Sequence, residues 1–164
     1  MMNAAASPRT LVTLLLLASA AIVGGALLSQ YVGGLQPCEL CLYERWPYYA
    51  AIVATAVALL SGGDRAMRAI IALCALLFTA SVVLAFYHVG VEQHWFDGPS
   101  ACTGSVTGAT SIEALKAQLL ARQPVSCDTP SWLLFGVSLA GWNLVASVLL
   151  AIACAAALLR RERR

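Results

Sequence analysis

Charge is what this sequence has least of. Asp, Glu, Lys and Arg together make up 11% of the 164 residues, under half the roughly 25% of soluble domains. So few charges cannot clothe a water-soluble globule. With 60% hydrophobic residues and a mean hydropathy of +0.80, the chain reads as a membrane protein. The formal charge of +2 comes from arginines gathered at a few places, so it implies no nucleic-acid partner. Also missing are a Gly-x-Gly-x-x-Gly fingerprint, a Cys-x-x-Cys-His haem attachment and further cysteine ligands for an iron–sulfur cluster. The chain therefore carries no sequence signature of an electron acceptor of its own. No internal repeat or low-complexity linker divides it, and no separate soluble domain remains once the apolar runs are subtracted. One membrane domain over 1–164 is expected.

The apolar runs come next. They fall at about 11–28, 46–60, 69–87 and 142–159, and predict an all-α membrane protein built as a four-transmembrane-helix bundle. Arg9, the leucine run and Ala18-Ser19-Ala20 mimic a secretory signal peptide, but the apolar character continues to Leu28, which suits a retained helix. Gly24 and Gly25 would admit a close neighbour. Trp46, Tyr48 and Tyr49 are expected as an interfacial aromatic belt. Pro47 either opens the second span or kinks it. Seven arginines flank one face (Arg9, Arg65, Arg68, Arg160, Arg161, Arg163, Arg164), against Arg45, Lys116 and Arg122 on the other. By the positive-inside rule the seven mark the cytoplasm, with both termini there. The loops at about 30–45 and 88–140 then face a periplasmic, oxidising side.

The second loop is far longer than a helix connection needs, which points to function. Thr110-Ser111-Ile112-Glu113 has the capping-box pattern, Ile112, Leu115 and Leu119 share a stripe, and Pro124 ends the segment. A short amphipathic helix lying on the membrane surface is predicted there. Trp95 and Phe96 read as interfacial, Cys102 as exposed among turn-forming residues, and Trp132 to Phe135 as an apolar patch at the membrane surface.

Six cysteines divide by depth. Cys74 and Cys154 fall within spans and read as inert small hydrophobes. Cys38 and Cys41 lie in Pro-Cys-Glu-Leu-Cys-Leu-Tyr-Glu-Arg, Pro37 to Arg45. In a continuous helix both sulfurs and the Arg45 guanidinium would share a face, favouring a thiolate at Cys41. That is redox chemistry, although Cys-x-x-Cys is equally a zinc knuckle, with His88 or His94 as further donors. Cys102 and Cys127 are loop thiols in an oxidising compartment, so a disulfide is the default. A structural bond there would be worth roughly 3 kcal/mol. Two dithiols on one side also permit exchange, a thiolate of one pair attacking the disulfide of the other. The acceptor must then come from outside, and a lipid-soluble quinone is the natural two-electron partner for a dithiol beside an apolar bundle. Arg45 and His88 could stabilise the negative charge that develops on it. His88 at a span boundary is expected to have a partner, whereas His94 near Glu92 reads as solvated.

On the Pro37–Arg45 stretch, on Cys102 and Cys127, and on Trp132 with Phe135-Gly136 before the last span, the chain resembles the bacterial disulfide bond formation protein B (DsbB) family. The resemblance covers nearly the whole chain. It implies an inner-membrane thiol:quinone oxidoreductase that reoxidises a DsbA-like periplasmic partner. It implies that Cys102 and Cys127 accept electrons from that partner, that Cys127 exchanges with Cys38, and that Cys41 faces ubiquinone or menaquinone held by Arg45, His88 and Trp132. No metal is implied, and the surroundings are the quinone pool and membrane lipid. Pro47 and the Trp95 approach to Cys102 depart from the family pattern. The rival readings are a relative of vitamin K epoxide reductase, which would place its Cys-x-x-Cys at a later span, and a non-catalytic membrane protein with a structural disulfide and a metal knuckle.

Overall fold

The first helix, α1 (Pro8–Tyr31), starts where Ser7 accepts the Thr10 backbone N–H on its hydroxyl and Pro8 supplies a preset φ in the first turn. It ends where Gly33 turns back: the Gly33 N–H reaches Leu28 O at 3.0 Å, and a Cβ there would sit 2.7 Å from the Ser29 carbonyl oxygen. The turn returns the chain at once to the short helix α2 (Glu39–Tyr43), whose N-cap is Cys38. Then follow α3 (Trp46–Ser61), α4 (Asp64–Glu92), a two-stranded antiparallel hairpin of β1 (Leu133–Leu134) and β2 (Val137–Ser138), and α5 (Leu139–Glu162). The computed structural model describes residues 7–99, 111–113, 116 and 125–162.

Among the described residues three helices, α1, α4 and the Leu139–Arg160 part of α5, are long and apolar enough to cross a membrane. At 1.5 Å per residue, the 24 residues of α1 and 29 of α4 reach about 36 and 44 Å, more than the ~30 Å of hydrocarbon. The 16 residues of α3 reach only about 24 Å. α4 packs against α1, α3 and α5, and α1 also packs against α3. Val12, Leu15, Ala51, Met67, Ile71, Cys74, Phe78 and Cys154 form the buried seam, while Leu14, Leu17, Val53, Val57, Leu76, Val83, Leu149 and Ile152 point outward. An exterior as apolar as the core is what lipid requires. The chain is an all-α membrane protein, its hairpin aside.

Several expectations change. The long loop begins at Gln93, because backbone hydrogen bonds carry α4 through His88 to Glu92. Tyr48 does not join the aromatic belt: one helical face carries it into the core, where its hydroxyl is satisfied, while Trp46 and Tyr49 stay exposed in edge-to-face contact. Pro47 opens α3. Trp132 to Phe135 are exposed as expected of an apolar patch, and they form part of a hairpin that turns at Phe135 (φ 53°) and Gly136 (φ 78°), both left-handed. The surface helix expected between Thr110 and Pro124 lies, for the most part, outside the described residues, as does Cys102. Trp95 and Phe96 are exposed, and Phe96 stacks on Tyr87.

Candidate active site

The Pro37–Arg45 stretch is not one helix. Cys38 has extended backbone (ψ 173°) as the cap of α2, and the helical run breaks at Glu44 and Arg45 before α3 begins. As a cap, the Cys38 sulfur accepts the Cys41 backbone N–H at 3.3 Å and faces the Cys41 sulfur at 2.9 Å, both thiols being free. The close contact with the Cys41 sulfur holds the Cys38 thiol well below its usual range, with His88 and the Cys41 backbone N–H helping and burial opposing. Cys41 is pushed the other way, by its contact with the Cys38 sulfur and by burial. The Cys41 N–H and His88 Nε2 both meet the Cys38 sulfur, which favours the thiolate there and not at Cys41 as a continuous helix would have had it. In the reduced protein the ultraviolet absorbance of one thiolate is expected to persist at neutral pH and to bleach only on acidification. Cys38→Ser should remove it and Cys41→Ser, whose hydroxyl can still donate, should keep it. The reverse pattern would refute the assignment.

Behind Cys38 stands His88, its Nε2 at 3.5 Å from the sulfur and its Nδ1 at 2.8 Å from Glu44 Oε1. With Nδ1 protonated, His88 donates to the Glu44 carboxylate, which leaves Nε2 to take the Cys38 proton or, once charged, to donate back. The other Glu44 oxygen accepts from Asn143 Nδ2 at 3.0 Å. Asn143 Oδ1 accepts from the Tyr48 hydroxyl at 2.7 Å, and the line continues through Ser147 (2.8 Å) to Ser81 (2.9 Å). Burial pushes the Glu44 carboxyl above its ordinary pKa, against the pull of His88.

In front of Cys41 opens a cleft of about 470 Å³ between α1 and α5, walled by Ile22, Val23, Trp132 and Trp142, with Cys41, Glu44, Arg45 and Asn143 among its polar lining. An apolar cleft of this size with a few convergent polar groups suits a planar, lipid-soluble ligand. Arg45 Nη1 donates to Gln30 Oε1 at 2.7 Å, so α1 steadies the guanidinium. Cys41, Arg45 and Trp132 come together here. His88 does not line the cleft; it sits on the Cys38 side.

Cys127 is buried and held in a disulfide, and it shares an apolar cluster with Cys38, Leu40 and Val91. Its expected partner Cys102 lies outside the described residues. Cys74 and Cys154 are buried free thiols in the bundle core, and His94 is exposed. Among the described residues Cys38, Cys41 and His88 form one trio with donor atoms within 4.8 Å of one another. Zinc fits it poorly: thiolates at ~2.3 Å on a tetrahedral ion stand about 3.8 Å apart, and a structural site needs a fourth ligand. Here the sulfurs are 2.9 Å apart.

The family model for disulfide bond formation protein DsbB matches residues 8–157. The chain belongs to the DsbB family. It is 32% identical over 162 residues to disulfide bond formation protein B of Stutzerimonas stutzeri, covering 96% of this chain and 98% of that one. The protein of that name in Ralstonia nicotianae is 30% identical, over 97% and 99%. Disulfide bond formation protein B 1 of Pseudomonas aeruginosa is 33% identical, over 87% and 90%. No solved structure matches. DsbB membership makes this an integral-membrane oxidoreductase of disulfide formation. Sequence reasoning passed over Glu44, Asn143 and Tyr48. The signal was there for the first two, since a carboxylate and an amide beside apolar spans are costly unless partnered.

Proposed function

We propose that this chain is a quinone-dependent oxidase of a DsbA-like periplasmic dithiol protein, passing electrons from Cys102 and Cys127 to Cys38 and Cys41 and on to a membrane quinone. The observation that carries this is the placement of one dithiol: Cys38 lies in a buried cluster with disulfide-bonded Cys127, and Cys41, packed against that cluster, also lines the cleft. Cys38, as the favoured thiolate, is the member able to attack or leave a neighbouring disulfide. Cys41 then presents its sulfur to the cleft, Arg45 supplies fixed positive charge there, and Trp132 and Trp142 form part of its apolar wall. Bound ubiquinone or menaquinone would supply a two-electron, two-proton acceptor.

The energetics agree. The periplasm is known to be kept oxidising by a DsbA–DsbB–quinone chain, and DsbA, at about −120 mV, is recharged only by a sink more oxidising still, which glutathione is not. The topology of this reading sets α1, α3, α4 and α5 as four spans of one domain in the bacterial inner membrane. Both termini are cytoplasmic and the cysteine pairs periplasmic, with α3 at 16 residues the shortest of the four.

Purified protein mixed anaerobically with reduced DsbA-like protein and ubiquinone is expected to form ubiquinol, followed by its absorbance, and to carry less than stoichiometric zinc. Equimolar zinc bound through Cys38 and Cys41, without quinone reduction, would replace this reading with the metal-knuckle scaffold.

A further inference from the structure

With Cys38 as the thiolate and its proton passed to the adjoining His88, closing the disulfide to Cys41 breaks one S–H bond, forms one S–S bond and releases two electrons, and the Cys41 proton and the one Cys38 gave up make two. That is the count that converts a quinone to its quinol, so no further reactant is needed. The Cys41 proton has a direct way out, since Cys41 lines the cleft. Cys38 does not line it, is buried and has His88 beside it, so its proton needs a route.

We propose that Glu44 is the proton carrier of this site, taking the Cys38 proton through His88 and presenting it in the cleft. The inference rests on the thiol:quinone reading above. Its geometry is a line of contacts: Cys38 sulfur to His88 Nε2 at 3.5 Å, His88 Nδ1 to Glu44 Oε1 at 2.8 Å, and Glu44 itself among the residues that wall the cleft. A ring with both nitrogens engaged accepts a proton on one side and gives one up on the other. Burial disfavours the charged carboxylate, which brings the neutral carboxyl within reach of a proton transfer. Asn143 is the positioning residue. Its amide N–H donates to the second carboxylate oxygen, and its own oxygen accepts from the hydroxyl of Tyr48, which favours the orientation of Glu44 toward His88.

Two readouts test this. In quinone-free protein, the infrared difference between the dithiol and disulfide states of Cys38 and Cys41 should contain a deuterium-sensitive carboxyl or carboxylate change. That change should vanish in Glu44→Gln and shift in Glu44→Asp. In single turnovers of fully reduced protein with ubiquinone, Glu44→Gln should be slower by about 10²-fold, the lower end of what a positioned acid or base contributes. Glu44→Asp, which keeps the carboxyl, should recover most of the rate. Equal losses in both variants would make Glu44 a strut and overturn the proposal, as would a wild-type difference spectrum with no carboxyl change. That spectrum needs no variant to fold. Wild-type protein that reduces no quinone would instead sink the oxidase reading, and the infrared result would still say whether Glu44 takes the Cys38 proton.

Discussion

Cys41→Ser is expected to abolish ubiquinone reduction in anaerobic turnover, a loss on the order of 10³-fold or more, as when a reacting nucleophile is removed. Of the two sulfurs of the dithiol, Cys41 is the one that lines the cleft, and a hydroxyl cannot close a disulfide with Cys38. The substitution should leave the architecture standing. Serine is nearly isosteric, the backbone N–H of residue 41 still caps onto the Cys38 sulfur, and the new hydroxyl can donate to a Cys38 thiolate. The Cys38 thiolate should therefore survive with nothing to resolve it. Beside it in the same buried cluster lies the disulfide of Cys127, so exchange should accumulate a Cys38–Cys127 bond and release the former partner of Cys127 as a thiol. Mapping of non-reduced peptides would detect that bond. A Cys41→Ser protein that still reduced quinone at half the wild-type rate would remove the Cys38 and Cys41 pair from the electron path.

The membrane character and the helical class were legible because hydropathy over a span-length window is a local property, and lipid demands it all round each helix. The two thiols of Cys-x-x-Cys were equally legible, since their spacing sets their proximity. What the sequence concealed follows from contacts distant along the chain. Nothing local says that Tyr48 turns inward to Asn143 and Ser147, 95 and 99 residues away, while Tyr49 stays outside. Nor does spacing decide which sulfur holds the negative charge. The argument from a continuous helix chose Cys41 on the strength of Arg45, but the helical run breaks before Arg45, whose guanidinium is occupied by Gln30. The groups that do decide it are the capping geometry of Cys38 and a histidine 50 residues on. His88 was singled out for its place at a span boundary, which gave it a partner but not the right side of the dithiol.

The loop disulfide makes the other large prediction. Cys127→Ser is expected to abolish electron flow from a DsbA-like donor, again by on the order of 10³-fold or more, because the first exchange partner is gone. The relay has an entrance and an exit, however, and this substitution closes only the entrance. Cys38, Cys41, Arg45 and the cleft are untouched, and the cluster about Cys38 loses one sulfur against Leu40 and Val91 but keeps its apolar walls. A small dithiol such as dithiothreitol should therefore still reduce Cys38 and Cys41 directly and drive ubiquinol formation within a few-fold of the wild-type rate with that donor. The contrast between donors is the discriminating result. If Cys127→Ser loses both activities together while remaining folded in the membrane, the bond is a brace for the site. If it loses neither, electrons reach Cys38 without passing through Cys127. A loss confined to the protein donor requires two dithiols acting in series, since a brace would weaken both donors alike and a bystander would weaken neither.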